Sequence, residues 1–385
     1  MRGEWWACGG FQPNVEGWLR SGITRRAADG LRARLTPHAS RLTATLVILA
    51  SLALSACGPA PVYKQQSYVF GTLVEISIQG EPQAKARQAA AQVLREFDRL
   101  HRRLHAWEPG ELETLNAAFA RGPDPVPVAD DLAAILRDAA EWSRRSDGLF
   151  NPAIGNLVRL WGFHADTYVP RLPPKAEVDR LVRAAPGMDD LILAAGTVAS
   201  RNPDVRLDLG GYAKGHALDR AAVILRQAGV HNALVNIGGN IIALGRKGDR
   251  PWRVGIQHPR RGGALATLDL HDGEAIGTSG DYQRFFEVDG RRYCHLIDPR
   301  SGRPAQGVQA VTVIARGPQA GVASDVASKP LFIAGPDGWR AMAGRLGVVE
   351  ALLIDADGRV ALTAAMAARL TWQGEPPPGA PSTKG

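Results

Sequence analysis

The chain has 385 residues, of which 45% are apolar and 22% charged, and a formal net charge of +8. This is the make-up of a soluble globular protein with room for one large domain or two. The charge does not single out a nucleic-acid partner, because residues 1–56 carry seven arginines against three acidic residues and so hold four of the eight units. The remaining four units are dispersed among Asp and Glu, with no basic tract and no aromatic-rich RNA signature.

Leu42 to Leu54 is an apolar run of thirteen residues behind Arg41. It is too short for the ~20 residues of a spanning helix and suits the hydrophobic region of a secretory signal. The run ends in Leu54-Ser55-Ala56-Cys57, which resembles a bacterial lipobox, in which Cys57 is lipidated and becomes the first residue after cleavage. The expected layout is a signal peptide over 1–56, with 1–40 long enough to suggest an overextended gene start, and a lipid-anchored tether over 57–67. The mature protein would then sit on the periplasmic face of a bacterial membrane, taken as the inner one. Cys8 is discarded and Cys57 consumed, which leaves Cys294 without an intramolecular disulfide partner.

Tyr68 to Gln79 reads as a strand, and Pro82 to Arg103 as a helix whose Val93, Phe97, Leu100 and Leu104 recur at helical spacing. His101 and His105, one turn apart, could pair on a metal, but Arg99, Arg102 and Arg103 around them point to a solvated face. Asp131 to Ser146 and Lys175 to Ala185 read as further helices. Short apolar runs then come in pairs: Leu191–Ala194 with Val198–Ser200, Ala233–Ile237 with Ile241–Leu244, Trp252–Gln257 with Ala266–Leu270, and Phe285–Val288 with Arg292–Ile297 across Asp289-Gly290. Strands at Ala310–Ala315 and Ala351–Asp355 bracket helices near Gln319–Ser328 and Asp337–Leu346, and Asp357-Gly358 marks a last hairpin. Strands in hairpins with single helices predict an α+β fold of antiparallel sheets with flanking helices, and no G-x-G-x-x-G follows a first strand to suggest a Rossmann site. The domain is expected over 68–372, with a disordered tail over 373–385.

The chemistry concentrates in RLDLGGYAKGHAL, Arg206 to Leu218. Leu207 and Leu209 read as a short strand around Asp208, Gly210 and Gly211 as a turn, and His216 onward as a helix closed by Gly229. A glycine-rich turn feeding a helix suits a phosphate or pyrophosphate, with Lys214 as a compact cation or, alternatively, a surface ion-pair partner. Asp208 either contacts the ligand or caps the turn.

Further motifs stand in order along the chain: Phe70-Gly71-Thr72, LHAWEPGELETLN (Leu104 to Asn116), SDGLFNPAIGNLVRLWGFH (Ser146 to His164), NIGGN (Asn236 to Asn240), TSGDYQRFF (Thr278 to Phe286) and HLIDPRSGRP (His295 to Pro304). Together with DLGGYAKGHALD this series resembles the ApbE family of FAD:protein FMN transferases over about Tyr68 to Leu370. The resemblance implies an ApbE-like fold and an enzyme that transfers FMN from FAD to a threonine hydroxyl of a target protein, releasing AMP. It implies as partners FAD and threonine-bearing acceptor subunits of membrane redox complexes. Phe70, Gly71, Thr72, Asp208, Gly210, Gly211, Lys214, Ser279, Gly280, Asp281 and Tyr282 would bind the nucleotide, and Trp107, standing for the family's tyrosine, would stack on the flavin. His295 matches the family's histidine and suits a general base, against the plainer reading of a hydrogen-bonded turn residue. Asp298 either orients His295 or shapes the Asp-Pro turn. Arg284 and Arg303 read as solvated.

The resemblance also implies Mg2+, held by the Ala213 carbonyl, Asp325 and a threonine. Here Lys329 stands at the threonine's position, and an ammonium donates hydrogen bonds but cannot ligate a cation. Pro330 beside it argues against a regular helix through this element. Lys329 as a built-in replacement for the ion is therefore an open expectation, together with a charge argument in which Asn240, in place of an aspartate, supplies a second unit. Two alternatives to the transferase stay open: an FAD pyrophosphatase giving FMN and AMP, and a non-catalytic FAD-binding lipoprotein.

Overall fold

The computed structural model describes residues 62–165 and 167–380. The expected signal peptide, the lipobox with Cys57 and the last five residues lie outside the described residues. Among the described residues no helix is long and apolar enough to cross a membrane.

Val62–Val69 (β1) and Thr72–Gln79 (β2) form the first hairpin. Its two linking residues, Phe70 and Gly71, have φ of 57° and 67°, the left-handed pair that a type I′ turn requires. The start of the domain is therefore earlier than expected. Lys64 to Ser67, read as tether, pair residue for residue with Ser77 to Val74, so they form part of the edge strand of the sheet. Six further strands complete this sheet: β3 (Ala233–Ile237), β4 (Asn240–Leu244), β5 (Glu274–Gly280), β6 (Val308–Arg316), β7 (Glu350–Asp355) and β8 (Val360–Leu362). The eight lie side by side in chain order, each antiparallel to the next.

Alternation along the strands separates two apolar layers. Ile242, Val311, Val313 and Leu353 face the helices. Ile241, Ile276, Ile314 and Leu352 face a three-stranded sheet made of Trp252–Gln257, Ala264–Leu270 and Thr371–Trp372. Covered on both faces, β6 is buried without a break from Val308 to Ile314 and is mostly apolar, as such strands are. The fold is thus the expected α+β arrangement of antiparallel sheets with flanking helices.

Three helices carry most of the helical layer: α1 (Gln83–Leu104), α2 (Gly210–Gln227) and α3 (Ala320–Leu346). The expected apolar stripe of α1 is buried, with Val93, Phe97 and Leu100 at 0–1% exposure. Two expectations are corrected here. α2 begins at Gly210, six residues before His216, and Leu207–Leu209 form no strand; the Leu209 carbonyl already accepts the amides of Tyr212 and Ala213 at 2.9 and 2.8 Å. The two glycines therefore occupy the first helical turn and leave no separate turn before it. α3 runs straight through Pro330 and breaks only at Gly335, whose φ of 74° and ψ of −178° divide it into two helical stretches.

The crossing of α2 and α3 is unusually close. A Cβ on Gly215 would lie 2.5 Å from the Gly321 carbonyl oxygen, and a Cβ on Gly321 would lie 2.3 Å from that of Gly215. Backbone meets backbone, which only glycine allows. From α2, the Asp219 carboxylate accepts the amides of Gly321 (2.7 Å) and Val322 (2.9 Å), two of the donors that the start of α3 would otherwise leave unbonded.

The segment expected to be disordered beyond 372 is ordered as far as it is described. Gln373 donates its amide to Leu265, the Pro378 carbonyl accepts from Val360 at 2.7 Å, and Ala380 packs against the second apolar layer. Apolar burial and these bonds offset the ordering cost of a proline-rich stretch.

Gly215→Ala and Gly321→Ala each drive a methyl group into a backbone oxygen and are expected to destabilise the protein by about 3 kcal/mol, the upper part of the usual overpacking range. Asp219→Ala should cost about 1–2 kcal/mol through the lost cap. Urea unfolding reads both as a fall in the midpoint at constant slope, and near-native midpoints for the glycine variants would show that the helices do not touch.

Candidate active site

The first turn of α2, the end of β5, the middle of α3 and the segment 149–154 converge on one cavity. Asp208, Gly210, Gly211 and Lys214 line it from α2 and its entry, and Ser279 and Gly280 from β5. Asp325 and Lys329 line it from α3, and His295 from the segment after the hairpin Phe285–Val288/Arg291–Cys294. Sequence motifs more than a hundred residues apart thus share one wall.

Most first-turn amides of α2 are already bonded. Asp208 Oδ1 accepts from Gly210 at 2.8 Å, so this carboxylate caps the turn, and Tyr212 and Ala213 donate to Leu209. Among the described residues the Gly211 amide has no protein acceptor, and it belongs to a residue of the lining. Lys214, one turn further, forms no hydrogen bond or ion pair with the described residues. Burial lowers the pKa of its ammonium; Asp325 opposes this, while Lys329 and Arg284 add repulsion. A half-buried cation without a hydrogen-bond or ion-pair partner among the described residues, on the face of a cavity, is suited to meet an anionic ligand.

His295 closes the opposite side. Its backbone amide donates to the Arg284 carbonyl at 3.0 Å, and its ring Nδ1 lies 3.3 Å from the same oxygen. A carbonyl only accepts, so Nδ1 carries the proton and Nε2 keeps its lone pair. Burial pushes the imidazole down to about 3, with Arg284 and Lys214 adding repulsion, so the ring is neutral at pH 7. Neutral Nε2 can accept a proton.

Arg284 was the residue whose part was least visible in the sequence, where it read as solvated. Its side chain is exposed, yet Nε donates to the Tyr168 hydroxyl (2.7 Å) and Nη2 to the Phe163 carbonyl (2.9 Å), and it lines the cavity as a third cation. Gln283, Asn151 and Phe150, which stand inside the sequence motifs without an expected role of their own, also line it. Gln283 and Arg284 lie within the TSGDYQRFF motif, and that membership is the signal that marks them.

Other expected site residues lie outside this lining. Strand β5 ends at Gly280, and the chain turns away. Asp281 forms a two-pronged pair with Arg260, both bonds 2.6 Å, while the Tyr282 ring lies across Gly280 and packs against the second apolar layer. Asp298 is engaged by Arg300, which it meets through its amide (2.9 Å) and guanidinium (2.8–3.2 Å), so it shapes the Asp-Pro turn and makes no bond to His295. Phe70 packs on Phe97 and His101, with Gly71 completing the turn and Thr72 set against Gly238. Trp107 stands half-buried beside His164, its ring 4.6 Å beneath the Arg206 guanidinium. Asn240 is buried in β4 and accepts the Thr278 amide at 3.3 Å; it does not line the cavity, so its part in the charge argument falls away.

The donor set does not fit a divalent ion. Lys329 Nζ lies 2.6 Å from Asp325 Oδ1 and 2.6 Å from the Asp325 carbonyl oxygen, and Asp325 Oδ2 accepts the Gly215 amide at 2.9 Å. Ala213 sits inside the helix, its carbonyl among the helix's own acceptors. Mg2+ demands about six oxygen donors in near-octahedral geometry, and here an ammonium occupies the carboxylate that would lead the set. Elsewhere, ligand atoms of His101, His105 and Glu108 lie within 4.8 Å of one another. His105 Nδ1 accepts the Trp107 amide at 3.2 Å, which leaves its proton on Nε2 and no lone pair for a metal. Cys294 is buried, and burial pushes its thiol up to about 12, which removes it as a nucleophile.

An α+β domain that gathers a helix start, three cations and a neutral histidine around one cavity has the make-up of an anion-binding site. The chain belongs to the ApbE family, whose pattern matches residues 70–353. It is 44% identical over 348 residues to the FAD:protein FMN transferase of Rhodobacter capsulatus, a match that takes in 90% of this chain and spans 65% of the length of that relative. The FAD:protein FMN transferase of Treponema pallidum is 34% identical over 80% of this chain and 88% of its own. Among solved structures, the ApbE protein of Thermotoga maritima superposes with a TM-score of 0.73 at 29% identity, covering 80% of this chain and 99% of that one. The flavin transferase ApbE of Vibrio cholerae does so with 0.71 at 26%, covering 81% and 100%.

The depressed His295 has a stability consequence of definite sign. Its folded pKa lies below the unfolded value of 6.5, so its contribution is complete above about pH 6.5 and is lost as pH falls toward 3, at up to about 1.4 kcal/mol per pH unit. His295→Gln removes this proton uptake. Urea unfolding at pH 7 and pH 5 should show a smaller acid loss in the variant, and equal losses would place the imidazole in water.

Proposed function

We propose that this domain binds FAD and transfers its FMN half to a threonine hydroxyl of another protein, releasing AMP. The observation that carries the proposal is the single cavity that brings Lys214, Lys329 and the Gly211 amide to face His295, in a chain whose relatives are named for this reaction. The cavity is about 180 Å³, below the roughly 300–1,000 Å³ of pockets that enclose a drug-sized ligand. It suits the pyrophosphate and its flanking groups, with the rest of the dinucleotide extending beyond it.

In the proposed step the threonine oxygen forms a bond to the FMN phosphorus while the anhydride oxygen leaves with AMP. His295 Nε2 takes the hydroxyl proton as the new ester forms. Lys214, Arg284 and Lys329 stabilise the charge on the phosphoryl oxygens, and the fixed geometry supplies alignment in line with the leaving group. Once the anion is bound, the cations that repel imidazolium are neutralised, which removes that part of the depression and leaves the part due to burial.

Mixing the purified protein with FAD and a threonine-bearing acceptor peptide tests this by intact mass. The expected product is acceptor heavier by FMN less one water, with AMP in equal amount. Free FMN and AMP with unmodified acceptor would instead make the enzyme a pyrophosphatase. His295→Ala should retain FAD binding and lose transfer by about 100-fold or more; near-normal turnover removes His295 as the base.

The acceptors we propose are subunits of membrane redox complexes, met on the periplasmic side, with the domain anchored through lipid on Cys57. The short apolar run ending in Leu-Ser-Ala-Cys supports this. Cys57→Ser should abolish lipid labelling and shift the protein from the membrane to the soluble fraction; unchanged membrane retention with cleavage at the same place refutes the anchor.

A further inference from the structure

We propose that Lys329 is the resident cation of this site, so that the protein binds FAD without a divalent metal. This rests on the FAD reading above and concerns the same cavity. An i, i+4 pair of Asp and Lys on a helix is ordinarily a weak surface contact. This one is not on the surface: the side chains of Lys329 and Asp325 are 13% and 2% exposed, and both line the cavity.

Every part of the pair is held from outside it. The Lys329 stem passes over Gly211, where a Cβ would stand 2.9 Å from Cε and 3.1 Å from Cδ, so the first turn of α2 leaves a track for it. Asp325 Oδ2 is fixed by the Gly215 amide, which leaves Oδ1 to the ammonium. The Asp325 carbonyl takes a second Nζ bond at 2.6 Å and also the Ser328 hydroxyl at 2.8 Å. Ser328 spends its proton on that carbonyl, so Ser279, 2.7 Å away on β5, donates to Ser328 and ties the cluster to the cavity floor.

An ammonium has three protons. Two point to Asp325, and the third is available to a phosphate oxygen in the cavity. Lys214, Arg284 and Lys329 put three positive charges on the lining against the two carboxylates of Asp208 and Asp325, so the wall stays net positive without a metal, and a divalent ion set against Asp325 would face the ammonium at contact distance.

The test measures FAD affinity and metal binding of the mature protein by calorimetry and by Mn2+ paramagnetic resonance, after EDTA treatment and with saturating Mg2+. The expected result is a Kd that agrees within about 2-fold between the two conditions and no stoichiometric Mn2+ signal with FAD bound. Lys329→Met, which keeps the stem, should weaken FAD by about 10-fold or more with no rescue by Mg2+. Lys329→Thr should bind one Mn2+ per chain and make FAD affinity depend on Mg2+. Thermal melts of both variants establish folding. Loss of FAD binding on chelation, restored by Mg2+ in the native protein, overturns the resident cation and leaves the FAD reading intact. Native affinity in the folded methionine variant reduces Lys329 to a helix ion pair and overturns it equally. Failure of the native protein to bind FAD in either condition removes both readings together.

Discussion

The site depends on one contact: the crossing of α2 and α3 at Gly215 and Gly321, where no side chain separates the backbones. Helices kept apart by ordinary side chains pack with their axes about 8–10 Å apart. With the spacer removed, the Gly215 amide reaches the Asp325 carboxylate, and Lys329, one turn on, comes over Gly211. Asp219 fixes the same crossing from the other side by capping the start of α3. A structural interface and a binding surface are here the two faces of a single helix pair.

The resting cavity is electrostatically unfavourable to itself. Lys214 is desolvated with only the attraction of the Asp325 carboxylate to set against it, Lys329 and Arg284 repel it, and His295 is held neutral by burial and by its cationic neighbours. Such a site gives up stability so that an incoming anion relieves like-charge repulsion at the moment of binding. The scaffold compensates elsewhere, through apolar layers on both faces of the sheet and the stacked Trp161, Phe163, Phe286 and Tyr293 behind the histidine segment.

Fold class was legible because period-two alternation and turn dipeptides carry hairpins locally, as at Asp289-Gly290 and Asp357-Gly358. Lys214, Ser279 and His295 were legible as a set only through the series of motifs, since their meeting depends on strand order. The misplacements have separate physical causes. Glycine's low helix propensity hid the true start of α2, where the crossing with α3 overrides it. Pro330 suggested a break that packing suppresses, and the break falls instead at Gly335. Along TSGDY the side chains part company where β5 ends, because Arg260 draws Asp281 outward, and no local pattern encodes that partner. The proline-rich tail looked disordered because its anchor, the backbone of Val360, is recognised only in three dimensions.

The sheet runs in chain order, but one pair of its neighbours is far apart in sequence. β2 joins β3 through pairs such as Ile78 with Ala233, with α1, the 149–154 wall and α2 all threaded between them. Loop closure over that distance is paid before the pairing returns anything, so this junction is a slow step of folding. During synthesis the first hairpin and α1 emerge long before their partner strand. Until residue 233 and its neighbours arrive, β2 presents a bare edge of unmatched amides and carbonyls, the template on which chains join one another. The nascent chain is therefore most prone to aggregation in the interval between α1 and β3, which is where a holding chaperone has most to protect.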